Sequence, residues 1–168
     1  MDKHDVITVQ ELRQIANYES ETGVFTWKIT RSSVAPAGKE FGSWDLYGYK
    51  TVRINGKSYK LHRLAWLYVH GEMPKNDIDH INGIRHDNRI CNLRDVTRKT
   101  NLENQTRLHT AKKYTSLIGV YFDKRKNVFY SRVSVNNKNI HLGSFDTEQK
   151  AQDAYIAAKR KLHSGNTF

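Results

Sequence analysis

The stretch DHINGIRHDNRICNLRDVTRKTNLEN, residues 79–104, decides the fold of the middle of the chain. It contains two histidines and five asparagines, although asparagine is a poor former of helices and strands. Asparagine instead shapes turns and offers a side-chain carbonyl oxygen. Near its end, Asn101 and Asn104 have helical spacing behind Thr97, a residue type that caps helices. The pattern predicts one compact unit in which a turn-rich hairpin leads into a helix.

The pair Asp79-His80 places a carboxylate and an imidazole on consecutive residues. On an extended backbone the two side chains point to opposite sides of the strand. One can therefore hold a metal ion while the other faces an attacking water. The carbonyl of Asn101 is a neutral oxygen ligand, which suits Mg²⁺ and is poor for zinc. These residue types favour metal-assisted hydrolysis of a phosphodiester.

The segments HRLAW (62–66) and IDHINGIRHDNRICNLRDVT (78–97), with the asparagines that follow, closely resemble the HNH (His-Asn-His) endonucleases of phages. That family includes intron-encoded homing enzymes. The resemblance covers residues 61–104 and extends more loosely to the start of the chain. It implies a β-hairpin and helix folded around one metal ion, DNA endonuclease activity, and Mg²⁺ as the metal, with Mn²⁺ as an alternative.

The resemblance also assigns roles to individual residues. His80 is the general base, and Asn92 braces the hairpin and orients His80. Asn101 is a metal ligand that faces Asp79. Phosphate contacts are expected from three arginines of the same segment, Arg85, Arg89 and Arg94.

This segment has two other interpretations. Asp87 and Asn88 match a turn that shapes the loop, which is a structural role. A zinc site formed by His80, His86 and Cys91 is an alternative, but their spacing fits no zinc motif, and the paired CxxC motifs of some HNH enzymes are absent.

The first 60 residues are predicted to form a helix and β-hairpin region that belongs to the nuclease half. The elements expected before residue 72 are a helix at 8–18 capped by Thr8, a strand at 23–29, a hairpin at 47–63 and a short buried helix at 63–71. The pair Asn55-Gly56 favours a type I′ turn in the hairpin. Arg53 and Lys57, which flank this turn, are expected to contact phosphates.

The last third of the chain carries most of the charge. The whole chain has a net charge of +11, and residues 109–168 hold eleven Lys and Arg against four Asp and Glu, a net charge of +7. A compact basic module favours a polyanionic partner, most often nucleic acid. Strand-like runs at 117–122, 128–135 and 139–145 precede an amphipathic helix at 147–165, with Thr147 as its cap and Gly165 after its end.

Alternation in FYSRVSV (129–135) predicts which face of this sheet meets the helix. Phe129 and Val133 are expected to pack on the helix stripe of Ala151, Ala154, Tyr155, Ala158 and Leu162. The opposite face is expected to bind DNA through Tyr121, Arg125, Tyr130, Arg132, Ser134, Asn139 and His141.

Residues 116–163 resemble the DNA-binding domain of plant ethylene-response (Apetala-type) factors. The matching segments are IGV (118–120), FYSRV (129–133), IHLGSFDTEQKAQDAY (140–155) and AA (157–158). The plant domains read bases with arginines and tryptophans on the sheet face, and most of those positions differ here. The resemblance therefore implies DNA binding but no target sequence.

The fold class predicted for the chain is α+β. A ββα-metal (HNH) nuclease module is preceded by a β-hairpin region and followed by a linker and a three-stranded antiparallel sheet packed on one helix. The predicted divisions are 1–60, 61–108 for the nuclease core, 109–115 for the linker and 116–168 for the DNA-binding domain. The single cysteine excludes an internal disulfide, and no apolar run is long enough to span a membrane.

The predicted function is a metal-dependent DNA endonuclease of the phage homing type, nicking or cutting both strands, with a tethered DNA-binding domain. Its partner is double-stranded DNA in the cytoplasm, and neither a membrane nor a partner protein is indicated. The alternative is a DNA-binding regulator with an inactive nuclease-like half. An RNA-binding protein is less favoured, since the chain has no RNP aromatic signature or GxxG clamp.

Overall fold

The computed structural model describes residues 6–104, 115 and 117–163. Within these residues the fold is mixed α and β, with four α-helices and small antiparallel sheets, which confirms the predicted α+β class. The chain divides into two compact units, residues 1–97 and 98–168. The predicted linker lies, apart from Thr115, outside the described residues. The predicted domain limits stay predictions.

The first unit contains two helices and seven short strands among its described residues. They are α1 (Val9–Ile15), β1 (Ala16–Glu19), β2 (Val24–Trp27), β3 (Ser43–Trp44), β4 (Lys50–Ile54), β5 (Lys57–Lys60), α2 (Leu61–His70), β6 (Asp77–His80) and β7 (Leu93–Val96). A single 3₁₀ turn, Ile90–Asn92, precedes β7. The strands form three antiparallel sheets, β1-β2, β3-β4-β5 and β6-β7.

Local sequence signals account for several boundaries in this unit. Thr8 caps α1 in a capping box with Glu11, as residue type and spacing predict. Asn55 (φ 49°) and Gly56 (φ 81°) both adopt the left-handed region, as a type I′ turn requires. Helix α2 begins at Leu61, two residues before its predicted start, and ends at Gly71, which has the left-handed cap conformation.

The predicted extent of the first helix is wrong at its C-terminal end. Residues 16–18 belong to strand β1 rather than to the helix, because Ala16 pairs with Trp27 and Tyr18 pairs with Phe25 on β2. The Tyr18 ring also packs on Phe25, with ring centroids 4.7 Å apart. The core beneath these elements contains the buried side chains of Leu12, Phe25, Trp27, Ile54, Leu61, Leu64, Leu67 and Ile78.

The second unit contains α3 (Arg98–Glu103), β8 (Val120–Asp123), β9 (Val128–Val135), β10 (Lys138–Phe145) and α4 (Glu148–Leu162). The strands form one antiparallel sheet in the order β10-β9-β8, and α4 packs on all three. Thr147 caps α4, as predicted. Asn136 (φ 48°) and Asn137 (φ 62°) form the tight turn between β9 and β10.

The prediction that an apolar stripe of α4 is buried is confirmed for two of its residues and wrong for one. Ala151 and Tyr155 are buried, but Leu162 is 43% exposed. Instead, α4 buries Gln152 and Lys159, two polar residues that the apolar pattern did not include. The predicted Gly165 after the helix lies outside the described residues.

Gly23 is a position where a side chain cannot be accommodated. It has φ +72°, and a Cβ there would lie 2.5 Å from Arg89 N and 2.6 Å from the carbonyl carbon of Asn88. Gly56 has a similar φ of +81° but open space around the same position. Steric clash is therefore the difference between the two glycines, since both share the left-handed backbone.

We predict that Gly23→Ala lowers the free energy of unfolding of the first unit by about 3 kcal/mol or more, from strain and overpacking together. Gly56→Ala, the matched control, should cost about 1–2 kcal/mol from strain alone. Urea titrations followed by tryptophan fluorescence measure this unit selectively, because all three tryptophans lie within residues 1–97. Equal losses in the two variants would contradict the clash.

Candidate active site

Asp79 and His80 lie at the end of β6, and both are buried, each with 5% of its surface exposed. Asp79 pairs with Arg94 and His80 pairs with Leu93 on β7. The two side chains contact different neighbours. Asp79 accepts from Arg94, whereas the His80 ring lies against Tyr49 and His62. A carboxylate and an imidazole are thus held side by side on one strand.

The loop between β6 and β7 is closed by the side chain of Asn92. Its Oδ1 accepts from the Asn82 amide at 3.0 Å, and its Nδ2 donates to the Asp87 carbonyl at 2.8 Å. The Ile81 amide donates to the Asn92 carbonyl at 2.9 Å. These contacts tie the two ends of the loop together, and the bracing role that the resemblance implies for Asn92 stays a prediction. The role of Asn92 in orienting His80 also stays a prediction, and a second asparagine, Asn88, contacts the His80 ring.

Asn88 is fully buried, with 1% of its surface exposed. Its Oδ1 lies 3.5 Å from His80 Nε2, and its backbone carbonyl accepts from the Tyr18 hydroxyl at 2.7 Å. The contact with Oδ1 favours the His80 tautomer that carries its proton on Nε2, which leaves Nδ1 as the basic nitrogen. The sequence predicts only a turn-shaping role for Asn88, because a contact between side chains eight residues apart leaves no local pattern in the sequence.

Asp87 holds the rest of the loop. Its carboxylate accepts from Arg89 Nε at 2.8 Å, from Arg89 Nη2 at 2.6 Å and from Asn82 Nδ2 at 2.7 Å. The hydrogen bonds from Arg89 are the main reason that the pKa of Asp87 is lowered to about 2. Arg89, a predicted phosphate contact, is therefore already engaged by a carboxylate on its own loop.

The other two predicted phosphate contacts in this segment are also bonded within the protein. Arg94 donates from Nε to Asp79 Oδ2 at 2.8 Å, and its Nη2 lies 2.7 Å from the same oxygen. Arg85 donates from Nη1 to the Tyr47 carbonyl at 2.7 Å. In the hairpin, Arg53 donates from Nε to the Gly56 carbonyl at 3.0 Å, while Lys57 lies on β5 opposite Ile54. Their contacts with DNA stay predictions.

The His80 ring lies in a group of aromatic rings. Its centroid is 5.0 Å from that of His62, with the rings nearly perpendicular at 86°, and 5.9 Å from that of Tyr49. Burial lowers the pKa of His80, and the hydrogen bond that its Nε2 donates to Asn88 Oδ1 and the charge of Asp79 oppose this shift. A neutral imidazole can accept a proton, which is what a general base requires.

His62 is a site residue that sequence analysis did not single out. It lies on α2 with 5% of its surface exposed, and its Nδ1 is buried without a hydrogen-bond partner. Burial is the main reason that its pKa is lowered to about 3, with further contributions from His80, Lys60 and Arg63. The sequence pattern that could have pointed to His62 is its position on the apolar face of the predicted helix, within the segment HRLAW.

Asn101, the third position of the motif, lies on α3 and so belongs to the second unit. Its place opposite Asp79 stays a prediction. The donor chemistry of the pair fits a hard divalent cation, because a carboxylate and an amide carbonyl offer only oxygen. Among the described residues, no group of three His, Cys, Asp or Glu side chains could hold a metal ion.

One face of the sheet in the second unit carries all the predicted DNA contacts of that unit except Arg125. Strand register pairs Tyr121 with Tyr130, Arg132 with His141 and Ser134 with Asn139. The two tyrosine rings stack at 5.2 Å, and the Arg132 guanidinium carbon lies 4.3 Å above the centre of the Tyr121 ring. Arg125 lies in the turn between β8 and β9, where its amide donates to Asp123 Oδ1 at 2.9 Å. The opposite face packs on α4.

Comparison with known protein families gives one match. Residues 59–103 match the family model described as HNH endonuclease, a segment that contains Asp79, His80, Asn92 and Asn101. The match supports an HNH nuclease whose substrate is DNA, and HNH nucleases generally use a divalent metal. No curated protein and no solved structure matches the chain. The phage origin and the C-terminal Apetala-type domain stay predictions.

No helix in the described part of the chain has the length and apolar character needed to cross a membrane.

We predict that His62 makes the first unit less stable as the pH falls. Its folded pKa of about 3 lies below its ordinary value of 6.5, so between these pH values the unfolded chain binds a proton that the folded chain does not. The free energy of unfolding should therefore fall by up to about 1.4 kcal/mol per pH unit from this residue. His62→Gln should reduce that slope.

Urea titrations at several pH values between 7 and 4, followed by tryptophan fluorescence, measure this dependence. His70→Gln is the matched control, because His70 lies on the same helix but is exposed. An equal reduction of the slope in both variants would contradict the assignment to His62.

Proposed function

We propose that the chain is a DNA endonuclease that depends on a divalent metal ion, with His80 as the general base. The observation that carries the proposal is the buried pair Asp79-His80 at the end of β6, inside the segment that matches the HNH endonuclease family. A buried, neutral imidazole beside a carboxylate is the combination that metal-assisted phosphodiester hydrolysis needs.

In this mechanism His80 accepts a proton from the attacking water as the new P–O bond forms. The bond between phosphorus and the 3′ oxygen breaks, and that oxygen takes up a proton from solvent water, which leaves 5′-phosphate and 3′-hydroxyl ends. Asn88 holds the ring through Nε2, and Asn92 keeps the loop that carries Asn88 closed. His62 borders the ring on another side. The orientation of the base thus depends on packing and on one asparagine contact.

Asp79 and Asn101 would hold the metal ion, most suitably Mg²⁺, with Mn²⁺ as an alternative. When bound, the ion supplies stabilisation of the negative charge on the phosphate and on the departing oxygen. The ion pair with Arg94 offsets the charge of the buried Asp79 carboxylate and orients it.

We further propose that the second unit is an Apetala-type DNA-binding domain that tethers the nuclease to double-stranded DNA. The basic balance of residues 109–168 and the shared sheet face of Tyr130, Arg132 and His141 support this proposal. A tethered module raises the effective concentration of DNA at the catalytic site. The homing role is part of the proposal and rests on the resemblance of residues 61–104.

We predict that the wild-type chain converts supercoiled plasmid to open-circular or linear DNA with Mg²⁺ and not with EDTA. His80→Ala should slow cleavage by about 100-fold or more, since general-base catalysis contributes at least that factor. His70→Ala, an exposed histidine on α2, is the control and should cut like wild type. Open-circular product would indicate nicking, and linear product would indicate a double-strand cut.

The opposite result would favour the regulator. If neither wild type nor His80→Ala cuts with Mg²⁺ or Mn²⁺, while both shift the DNA in a gel, the nuclease proposal fails and DNA binding remains.

We predict that Arg132→Ala weakens binding to duplex DNA by about tenfold, because it removes a cation from the proposed DNA-binding face. Arg160→Ala removes the same charge from an exposed position on α4 and should have a much smaller effect. Fluorescence anisotropy in EDTA measures both affinities without cleavage. Equal losses would mean that net charge, rather than this face, binds the DNA.

A further inference from the structure

A rigid turn joins β3 to β4 in the first unit. The Asp45 carboxylate accepts from the amides of Tyr47 at 2.8 Å and Tyr49 at 2.9 Å, and the Asp45 amide donates to the Tyr49 carbonyl at 2.9 Å. Gly48 has φ +81°, with open space where a Cβ would lie. The turn is therefore fixed by its own hydrogen bonds and projects from the unit at Gly48.

The side chains that this turn presents to solvent are apolar. Leu46 is 100% exposed, Tyr47 is 70% exposed and Trp44, just before the turn, is 60% exposed. A single exposed apolar residue is ordinary on a protein surface, but three of them within four residues on a rigid turn indicate a binding surface. We refer to residues 44–47 as the apolar tip.

Three cations lie beside Trp44 in the apolar tip or beside Tyr49, which follows it. Lys60 Nζ lies 4.1 Å above the centre of the Tyr49 ring, and the Arg85 guanidinium carbon lies 5.3 Å from the same centre. Lys50 Nζ lies 5.8 Å from the Trp44 ring centre and also pairs with Glu40 at 2.6 Å. The carboxylate of Asp45 is bound to the amides of the turn. A DNA duplex has anionic phosphates on the outside and stacked bases inside. Apolar side chains flanked by cations are therefore complementary to it.

The apolar tip is connected to the candidate active site. Tyr49 ends the turn, and its ring lies 5.9 Å from His80 and 5.1 Å from His62 between ring centroids. The Trp44 ring packs edge-on to His86 at 5.0 Å, on the loop that follows His80. DNA with a phosphate at His80 would therefore run beside the tip.

We infer that the apolar tip inserts Leu46 between neighbouring base pairs of the DNA being cut, from the minor groove, while Lys60 and Arg85 contact the flanking phosphates. Apolar side chains that enter the minor groove in this way partly unstack a base step and bend the duplex. The inference rests on the proposed function for its partner, and it adds a contact that distorts DNA next to the scissile phosphate.

The test compares Leu46→Ser with Val34→Ser, an equally apolar residue that is 74% exposed elsewhere in the same unit. The probes are duplexes to which the wild type binds, each carrying 2-aminopurine, a base whose fluorescence rises when it is unstacked, at one of a series of successive positions. Measurements are made in EDTA, so that binding and unstacking are recorded without cleavage. Wild type and Val34→Ser should raise the fluorescence at one base step, and Leu46→Ser should not.

A mismatched duplex separates a wedge from a simple surface contact. Leu46→Ser should bind the intact duplex about tenfold more weakly than wild type, because it lacks the wedge that offsets the cost of unstacking a base step. It should bind a duplex with a mismatch at the responsive step nearly as well as wild type does. Lys60→Ala should weaken binding to both duplexes alike, since a phosphate contact does not depend on stacking.

Three results with Leu46→Ser would overturn the inference. One is an unchanged 2-aminopurine response. Another is an equal loss of affinity for intact and mismatched duplexes, which would make the tip a surface contact. The third is loss of self-association without change in the DNA response, which would make the tip an interface between copies. If wild type unstacks the DNA but never cuts, the nuclease proposal alone fails. If it cuts without unstacking, the wedge alone fails.

Discussion

The side chain of Asn92 closes the loop between β6 and β7, and the geometry around His80 depends on that closure. Its amide accepts one backbone hydrogen bond and donates another, so both of its polar atoms are used. An ionised aspartate lacks the donor and leucine lacks both groups, although both have a similar shape. The closed loop brings the fully buried Asn88 to the His80 ring. Gly23 and the Tyr18 hydroxyl contact the backbone of the loop at Asn88 from the β1-β2 hairpin.

Burial determines the charge of the two histidines in the site. Because the pKa of His62 is lowered to about 3, its ring is neutral near neutral pH. A general base becomes positively charged when it takes up a proton, and a second cation 5.0 Å away would oppose that step. A neutral His62 removes this repulsion while filling the same space. The nearby carboxylate of Asp79 favours the protonated form of His80, although Arg94 offsets part of its charge.

Features of the fold that depend on neighbouring residues were predictable from the sequence. The caps Thr8 and Thr147 and the asparagine turns at Asn55 and Asn136 follow from side-chain and backbone chemistry within four residues. Features that depend on distant partners were not. Residues 16–18 carry a helical pattern but form β1, because pairing with β2 satisfies their backbone.

The same distinction holds for the candidate site. Asp79, His80 and Asn92 could be named as candidates from the sequence because they match the motif of the family position by position. The ion pair of Asp79 with Arg94, the contact of Asn88 with His80 and the position of His62 all depend on which elements meet in three dimensions. The division at residue 97 falls inside the segment that matches the HNH family, so α3 and Asn101 belong to the second unit. There, Lys99 on α3 donates to Asn136 in the β9–β10 turn at 2.9 Å. In the proposed mechanism the second metal ligand, Asn101, thus belongs to the unit that carries the DNA-binding face. The two family resemblances meet after residue 104, whereas the two compact units meet after residue 97.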